Sequence, residues 1–204
     1  MTARRLLYVV DDEAIIRASI VSLVQAHGNY DCREFATGDA FLAGIDALEP
    51  GCVVLDLQLD GTGGAGVMSR LAERPGDFRT IVVTGFSDLP TAIATFRAGV
   101  VEFLHKPYEI RPLLDAIERG FHLLEHGSEP PALVAAAKER LARLSAEEAD
   151  ILARLIQGET NEQIGRALRR DSRAVQLLRA RMLAALDAPS LLAAVRLTAL
   201  GGWL

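Results

Sequence analysis

The chain has 204 residues, of which half are apolar and 24% are charged, and its formal net charge is −5. This composition is that of a folded protein with a substantial core, and the length fits one large domain or two small ones. No apolar run reaches the ~18 residues that a membrane-spanning helix needs, and the first run is too short for a secretory signal peptide. We therefore expect a cytoplasmic protein with no membrane partner.

Charge is distributed unevenly along the chain. Residues 1–125 carry 11 Lys and Arg against 18 Asp and Glu, whereas residues 126–204 carry 11 against 9. Six arginines fall between Arg166 and Arg181. An acidic first part and a weakly basic second part predict two modules with different partners. The excess in the second part is small, so by itself it is weak support for nucleic-acid binding.

The first module alternates short apolar runs with helical patterns. The apolar runs predict strands at 6–10, 31–35, 52–55, 80–83 and 100–104. Helical spacings of apolar residues follow each run, beginning after Glu13, at Thr37, after the glycine-rich loop 61–66, at Pro90 and at Ile110. Five strands that alternate with five helices predict an α/β fold, a doubly wound parallel sheet, for which we expect the flavodoxin-like strand order 2-1-3-4-5.

Polar residues lie just beyond the carboxyl ends of these predicted strands. They are Asp11, Asp12, Asp56, Thr84 and Lys106. Ligands of open α/β sheets bind at this edge, where the strand order reverses. Each Asp or Thr could instead be an ordinary helix N-cap. Five polar residues at the same edge favour a ligand site.

The three carboxylates indicate which ligands this site would take. At about 5 Å they repel one another by roughly 3 kcal/mol per pair at an effective dielectric near 20, which a divalent cation would offset. Oxygen-only ligands select a hard ion such as Mg²⁺, which usually shares its coordination sphere with phosphate oxygens. Lys106 would supply a positive charge for such a phosphate, and Thr84 a hydroxyl donor. Since the chain has no Walker loop and a carboxylate can be a phosphoryl-transfer nucleophile, the site is predicted to form an aspartyl phosphate.

Residues 4–125 resemble the receiver domain of bacterial two-component response regulators. The matching runs are Val-Val-Asp-Asp-Glu at 9–13, Leu-Asp-Leu at 55–57, Val-Thr-Gly at 83–85 and Phe-Leu-His-Lys-Pro at 103–107. The resemblance implies that Asp56 accepts phosphate from a sensor histidine kinase. It also implies that Mg²⁺ is held by Asp11, Asp12, Asp56 and the backbone carbonyl of Gln58. No enzyme activity is expected beyond self-phosphorylation and self-dephosphorylation.

The same resemblance implies a conformational switch. Lys106 would pair with the phosphoryl group. The Lys106–Pro107 peptide bond would be cis. Thr84 and Phe103 would be the switch pair, with the hydroxyl drawn to the phosphate and the ring turning inward. The loop after Asp56 departs from the family, because Leu59 and Asp60 stand where Met-Pro is usual. The extra charge of Asp60 is expected to affect phosphorylation and dephosphorylation rates.

The second module is small and helical. The Gly-Ser-Glu-Pro-Pro run at 127–131 has a linker composition, so we place a receiver at 1–126, a partly helical linker at 127–143 and an all-α domain at 144–204. Ser145 and Glu148 have capping-box spacing. Four short helices with a tight turn between the second and third fit a helix-turn-helix bundle. A helical docking or dimerisation domain would give the same pattern.

Residues 145–203 resemble the LuxR-type DNA-binding domain, and its combination with a receiver is that of the FixJ/NarL subfamily. The matching segments are 144–145, 158–161 with Ile164, 173–175, 179–182 and 200–202. On the third helix, one face is predicted to be core, at Val175, Leu178, Met182 and Leu186. The opposite face presents Arg173, Gln176, Leu177, Ala180 and Arg181. The residues expected to contact double-stranded DNA are Arg173, Gln176, Arg179, Ala180, Arg181 and Asn161.

Three positions in this domain depart from the family. Glu162 stands where a basic residue is usual, Ala174 ends a run that is usually Ser-Pro-Arg-Thr, and Leu178 replaces a common histidine. Two phosphate contacts would be lost, each worth about one released counterion. The expected function is a phosphoprotein that dimerises on phosphorylation and regulates transcription. The alternative is a phosphorylation-controlled protein-interaction regulator whose helical domain no longer reads DNA.

Overall fold

The computed structural model of the protein describes residues 5–85 and 88–204. The described residues form two compact units, one of residues 5–85 and 98–129 and the other of residues 88–97 and 130–204. Across the described ranges, no helix has both the length and the apolar character needed to cross a membrane.

The first unit is built on a five-stranded parallel sheet. Its strands are β1 (Arg5–Val10), β2 (Tyr30–Phe35), β3 (Gly51–Leu55), β4 (Phe78–Thr84) and β5 (Glu102–His105). Their order is β2-β1-β3-β4-β5, which confirms the predicted fold class and strand order. In the register of β1 and β3, Val10 lies opposite Leu55. The residues that follow these two strands, Asp11 and Asp56, therefore leave the sheet at the same level.

Helices cover both faces of this sheet. The helices of the first unit are α1 (Ala14–His27), α2 (Gly38–Gly44) with a 3-10 turn at Ile45–Ala47, α3 (Gly63–Ala72) and α5 (Ile110–His126). Leu7 and Val54 belong to an apolar layer shared with α1 and α5, and Tyr8 and Val53 to a layer shared with α2 and α3. Successive strand residues point to opposite faces, so burial of both faces explains the continuous apolar runs.

The second unit is entirely helical. It contains α4 (Leu89–Arg97), α6 (Pro131–Leu141), α7 (Ala146–Ile156), α8 (Asn161–Leu168), α9 (Ser172–Ala185) and α10 (Leu191–Gly201). The predicted capping box of Ser145 and Glu148 is present at the start of α7. Thr160 and Gln163 form a second capping box on α8, and the Asp171 side chain accepts from Ala174 N–H at the start of α9. Side chains that satisfy these first-turn N–H groups fix where α7, α8 and α9 begin.

Most of the segment expected to be a linker belongs to this unit. Helix α6 packs against α10, burying Ala137 and Leu141. Glycine at 201 allows the close approach, since a Cβ there would lie 2.3 Å from Leu141 Cδ1. Arg140 also donates from Nε to the Leu186 carbonyl at 2.6 Å. The helical domain thus includes residues 131–141, which its composition alone did not reveal.

Candidate functional site

Three carboxylates converge at the carboxyl edge of the sheet. One oxygen each from Asp11, Asp12 and Asp56 can be chosen so that all lie within 4.8 Å of one another. Asp11 and Asp56 are 2% and 3% exposed, whereas Asp12 is exposed. The Asp56 N–H donates to the Val10 carbonyl at 2.9 Å, so the backbone itself holds the end of β3 beside the end of β1. The strand order therefore produces the cluster that the sequence predicted.

Lys106 joins two of these carboxylates. Its Nζ lies 2.8 Å from Asp11 Oδ2 and 2.7 Å from Asp56 Oδ2, and 3.3 Å from Glu13 Oε1. Lys106 follows β5, and its peptide bond to Pro107 is cis, as the resemblance implied. The ammonium group offsets the negative charge of two buried carboxylates and donates a charge-assisted hydrogen bond to each.

Burial and pairing shift the ionisation of this cluster in opposite ways. Burial raises the pKa of the Asp11 carboxyl, and its bonds to Lys106 and to the Glu13 N–H only partly oppose that shift. Burial lowers the pKa of Lys106, but the bonds to Asp11 and Asp56 outweigh this and raise it above its ordinary value. Lys106 is thus firmly charged at neutral pH, while Asp11 takes up a proton more readily than an ordinary aspartate.

The loop after Asp56 and the two expected switch residues lie around this cluster. The Gln58 N–H donates to Asp56 Oδ1 at 2.9 Å, which orients the carboxylate. Thr84 ends β4 and is fully buried, and Phe103 on the neighbouring strand β5 is 1% exposed. The Phe103 ring therefore already lies in the protein interior in this structure.

Arg17 is a site residue that the sequence analysis missed. From the first turn of α1, its Nη1 donates to the backbone carbonyls of Asp11 at 2.7 Å and Asp12 at 3.1 Å. Its Nε also lies 3.5 Å from Glu34 Oε2. Arg17 thus fixes the β1–α1 loop that carries two of the three carboxylates. Its place one turn into the helix after the Asp-Asp pair was the available signal.

The donor set fits a magnesium ion. All three converging groups are carboxylates, and two of them are buried at hydrogen-bond distance from a cation, Lys106. Hard oxygen ligands of this kind suit Mg²⁺, which keeps several waters and binds through few carboxylates. The exposure of Asp12 leaves the cluster open to solvent on one side.

A second candidate surface lies on α9. Four of the six residues expected to contact DNA are exposed on its outer side: Arg173, Gln176, Ala180 and Arg181. The predicted core face is buried at Val175, Leu178 and Met182. The other two, Arg179 and Asn161, are half-buried, and Arg179 Nη1 donates to Asn161 Oδ1 at 2.5 Å. This pair ties α9 to the start of α8 rather than extending the exposed face.

The residues around the α8–α9 turn make a mixed-charge cleft. It is lined by Thr160, Asn161, Glu162, Gly165, Arg166, Arg169, Arg170 and Ser172. Glu162 is one of the departures from the family pattern, and its Oε1 lies 3.7 Å from Arg166 Nη2. Arg170 Nη2 lies 3.1 Å from Glu147 Oε1. These acidic partners offset two of the positive charges on this side of the bundle.

Comparison with known proteins assigns both modules of the sequence to families. The model of the response regulator receiver domain matches residues 7–118, and that of the bacterial regulatory proteins of the luxR family matches residues 142–198. The chain belongs to the two-component response regulators. Its LuxR-type DNA-binding domain makes this response regulator a transcriptional regulator, and the protein-interaction alternative is not favoured. The family is one of phosphorelay signalling proteins rather than classical enzymes.

Similar proteins extend over the whole length of this response regulator. Transcriptional regulatory protein FixJ of Bradyrhizobium diazoefficiens is 31% identical over 204 residues, which is 100% of this chain and 99% of that protein. FixJ of Rhizobium meliloti is 29% identical over 197 residues, covering 97% and 96% of the two chains. The crystal structure of full-length FixJ from B. japonicum matches with a TM-score of 0.56 at 31% identity and covers 100% of both chains. The predicted FixJ-type combination of a receiver and a LuxR-type domain is confirmed.

Proposed function

We propose that Asp56 is the phosphoacceptor of this response regulator and that its phosphorylation controls DNA binding by the helical domain. The observation that carries the proposal is the shared Lys106 ammonium, which lies within 2.8 Å of both Asp56 and Asp11. A carboxylate oxygen of Asp56 attacks the phosphorus of a phosphohistidine on a sensor kinase. The new oxygen–phosphorus bond forms as the nitrogen–phosphorus bond breaks, and the imidazole keeps the electron pair. Lys106 then pairs with the negative phosphoryl oxygens.

We further propose which residues hold the magnesium ion. Receiver domains bind Mg²⁺ at an acidic pocket of this kind, and here Asp11, Asp12, Asp56 and the backbone carbonyl of Gln58 are the candidate ligands. Bound there, Mg²⁺ supplies positive charge against the phosphoryl oxygens. Arg17 contributes by holding the backbone carbonyls of Asp11 and Asp12 and so the path of the loop that carries both side chains.

Magnesium affinity should depend on pH through Asp11. Because burial raises the pKa of Asp11, and because only its ionised form is a ligand, affinity should start to fall at a higher pH than for an ordinary aspartate. Below that pKa, the affinity should drop by about tenfold per pH unit. Isothermal titration calorimetry with Mg²⁺ at a series of pH values measures this. Asp12→Ala should remove the response and Asp60→Asn, in the neighbouring loop, should keep it. A response that survives in Asp12→Ala would take this aspartate out of the metal site.

Thr84 and Phe103 are the proposed switch pair. Thr84 stands at the carboxyl end of β4, next to the strand that carries Phe103 and leads to Lys106. A phosphoryl group on Asp56 would draw the Thr84 hydroxyl toward it, and the adjacent ring would follow. Since the ring is already buried, the step is a repacking within the interior and not the entry of a solvent-exposed side chain.

The proposed output is a dimer on double-stranded DNA. Arg173, Gln176 and Arg181 project from one side of α9 and supply donors suited to phosphates and base edges. A two-fold dimer would place two α9 helices about one DNA turn apart, roughly 34 Å, and so match a palindromic operator. Such a protein works in the cytoplasm, where its DNA and the kinase's catalytic domain lie.

Activation with beryllofluoride and Mg²⁺ tests this proposal. The phosphoryl mimic should double the mass seen by light scattering and tighten operator binding by roughly 5- to 150-fold, a typical allosteric coupling. An Arg173→Ala, Arg181→Ala double variant should still dimerise but bind DNA weakly. A chain that stays monomeric and binds DNA equally in both states would contradict the coupling.

A further inference from the structure

A leucine stands in the middle of the surface proposed to face DNA. Leu177 is 63% exposed, although it lies at the centre of α9, a helix in which Val175, Leu178 and Met182 are buried and Leu183 is half-buried. Single exposed leucines are common on protein surfaces. What distinguishes Leu177 is its neighbourhood.

The neighbours of Leu177 form an apolar strip with polar edges. Ala180 and Ala184, three and seven residues further on, are also exposed and share the same side of the helix. Arg173 and Arg181, each four residues from Leu177, are exposed as well, and the Arg181 side chain keeps 64% of its surface exposed. An apolar strip with an arginine on each side fits a ligand that carries an apolar group flanked by negatively charged groups.

The major groove of DNA offers one such group. Its base edges carry hydrogen-bond donors and acceptors and a single apolar substituent, the C5 methyl of thymine. Phosphates on both sides of the groove supply the negative frame for the two arginines. A protein partner that filled the strip would instead have to bring acidic groups to both arginines.

We propose that Leu177, supported by Ala180, is a specificity-determining residue that packs on the C5 methyl of a thymine in each operator half-site. The inference rests on the proposed DNA binding by α9 and adds the base that this helix selects. It explains why the outer side of α9 carries a leucine where a polar side chain would be better solvated. Gln176, next to Leu177 and exposed, is placed to read the hydrogen-bonding edge of an adjacent base.

Removing the thymine methyl alone tests the proposal. Duplexes selected from a random pool by the full-length, beryllofluoride-activated chain are resynthesised with deoxyuridine in place of each thymine in turn. Fluorescence anisotropy should find one position per half-site where this change weakens binding by about fourfold, the value of about 0.8 kcal/mol for one methylene-sized group. In Leu177→Ala the same replacement should have no further effect, because the contacting side chain is already gone.

Two controls separate the possible outcomes. Ile110→Ala removes another exposed apolar side chain, on α5 of the first unit, and should leave the deoxyuridine effect unchanged. Leu177→Ser, whose side chain is polar and close in size to that of alanine, should likewise show no further effect of deoxyuridine. Tight binding without any deoxyuridine effect, or an effect that persists in Leu177→Ala, overturns the inference while DNA binding stands. Failure to select any duplex overturns the proposed DNA binding itself.

Discussion

Replacing Asp56 by asparagine should abolish phosphoryl uptake from acetyl phosphate. Asparagine has nearly the same shape, and its carbonyl oxygen can still accept the Gln58 N–H that now binds Asp56 Oδ1. The neutral amide is not a nucleophile, however, so no aspartyl phosphate can form. Incorporation of radiolabelled phosphate into the full-length chain, with Mg²⁺ present, should fall to background.

The fold should survive this change. Lys106 would lose one charged partner, but its Nζ would keep Asp11 Oδ2 at 2.8 Å and Glu13 Oε1 at 3.3 Å. At the same time, one of three mutually repelling carboxylates would be neutralised. We therefore expect a melting temperature equal to or above that of the natural chain. Asp60→Asn, which changes an exposed carboxylate in the same loop, should label normally. Full labelling of Asp56→Asn together with none in Asp11→Asn would mean that the acceptor lies at the end of β1.

Much of this site could be predicted because parallel strands end at one edge. The apolar runs located all five strands, and the polar residues that stop them, such as Asp11 and Asp56, then had to meet where β1 and β3 are neighbours. The helix start at Ser145 was equally local, since a capping side chain bonds an N–H three residues away.

The features that escaped prediction depend on contacts between distant residues. Arg179 looks like one more arginine of a basic cluster, and only the fold shows its guanidinium bonded to Asn161, 18 positions earlier. The alanine-rich segment of α6 has little periodic signal, and its membership of the helical domain depends on Leu141 lying over Gly201. The position of Arg17 one turn after the Asp-Asp pair was visible in the sequence, but its partners are backbone carbonyls, which only the fold reveals. Local sequence patterns therefore predicted the positions of the site residues, whereas the contacts of Arg17 and Arg179 could be seen only in the folded structure.

Alanine at Gly165 should disrupt the α8–α9 turn and with it DNA binding. Gly165 is buried in α8, and the chain turns back on it, since the Arg170 N–H donates to the Gly165 carbonyl at 2.8 Å. A Cβ at this position would lie 2.8 Å from the Arg170 carbonyl oxygen, a backbone atom that cannot move without shifting the start of α9. Overpacking of this kind costs about 1–3 kcal/mol. Thermal unfolding monitored by circular dichroism should show the loss, and operator binding should weaken in parallel.

The receiver provides the internal check on the Gly165→Ala variant. Because Asp56 and Lys106 lie in the other unit, phosphoryl uptake should proceed at the normal rate while DNA binding weakens. Gly44→Ala is the matched control, since a Cβ at this helical glycine of α2 meets nothing within 4 Å. Alanine favours helix over glycine by up to about 1 kcal/mol, so this variant should be at least as stable as the natural chain. Normal DNA affinity in Gly165→Ala would show that the turn can relax around a methyl group, and that the spacing of α8 and α9 does not depend on the contact between Gly165 and Arg170.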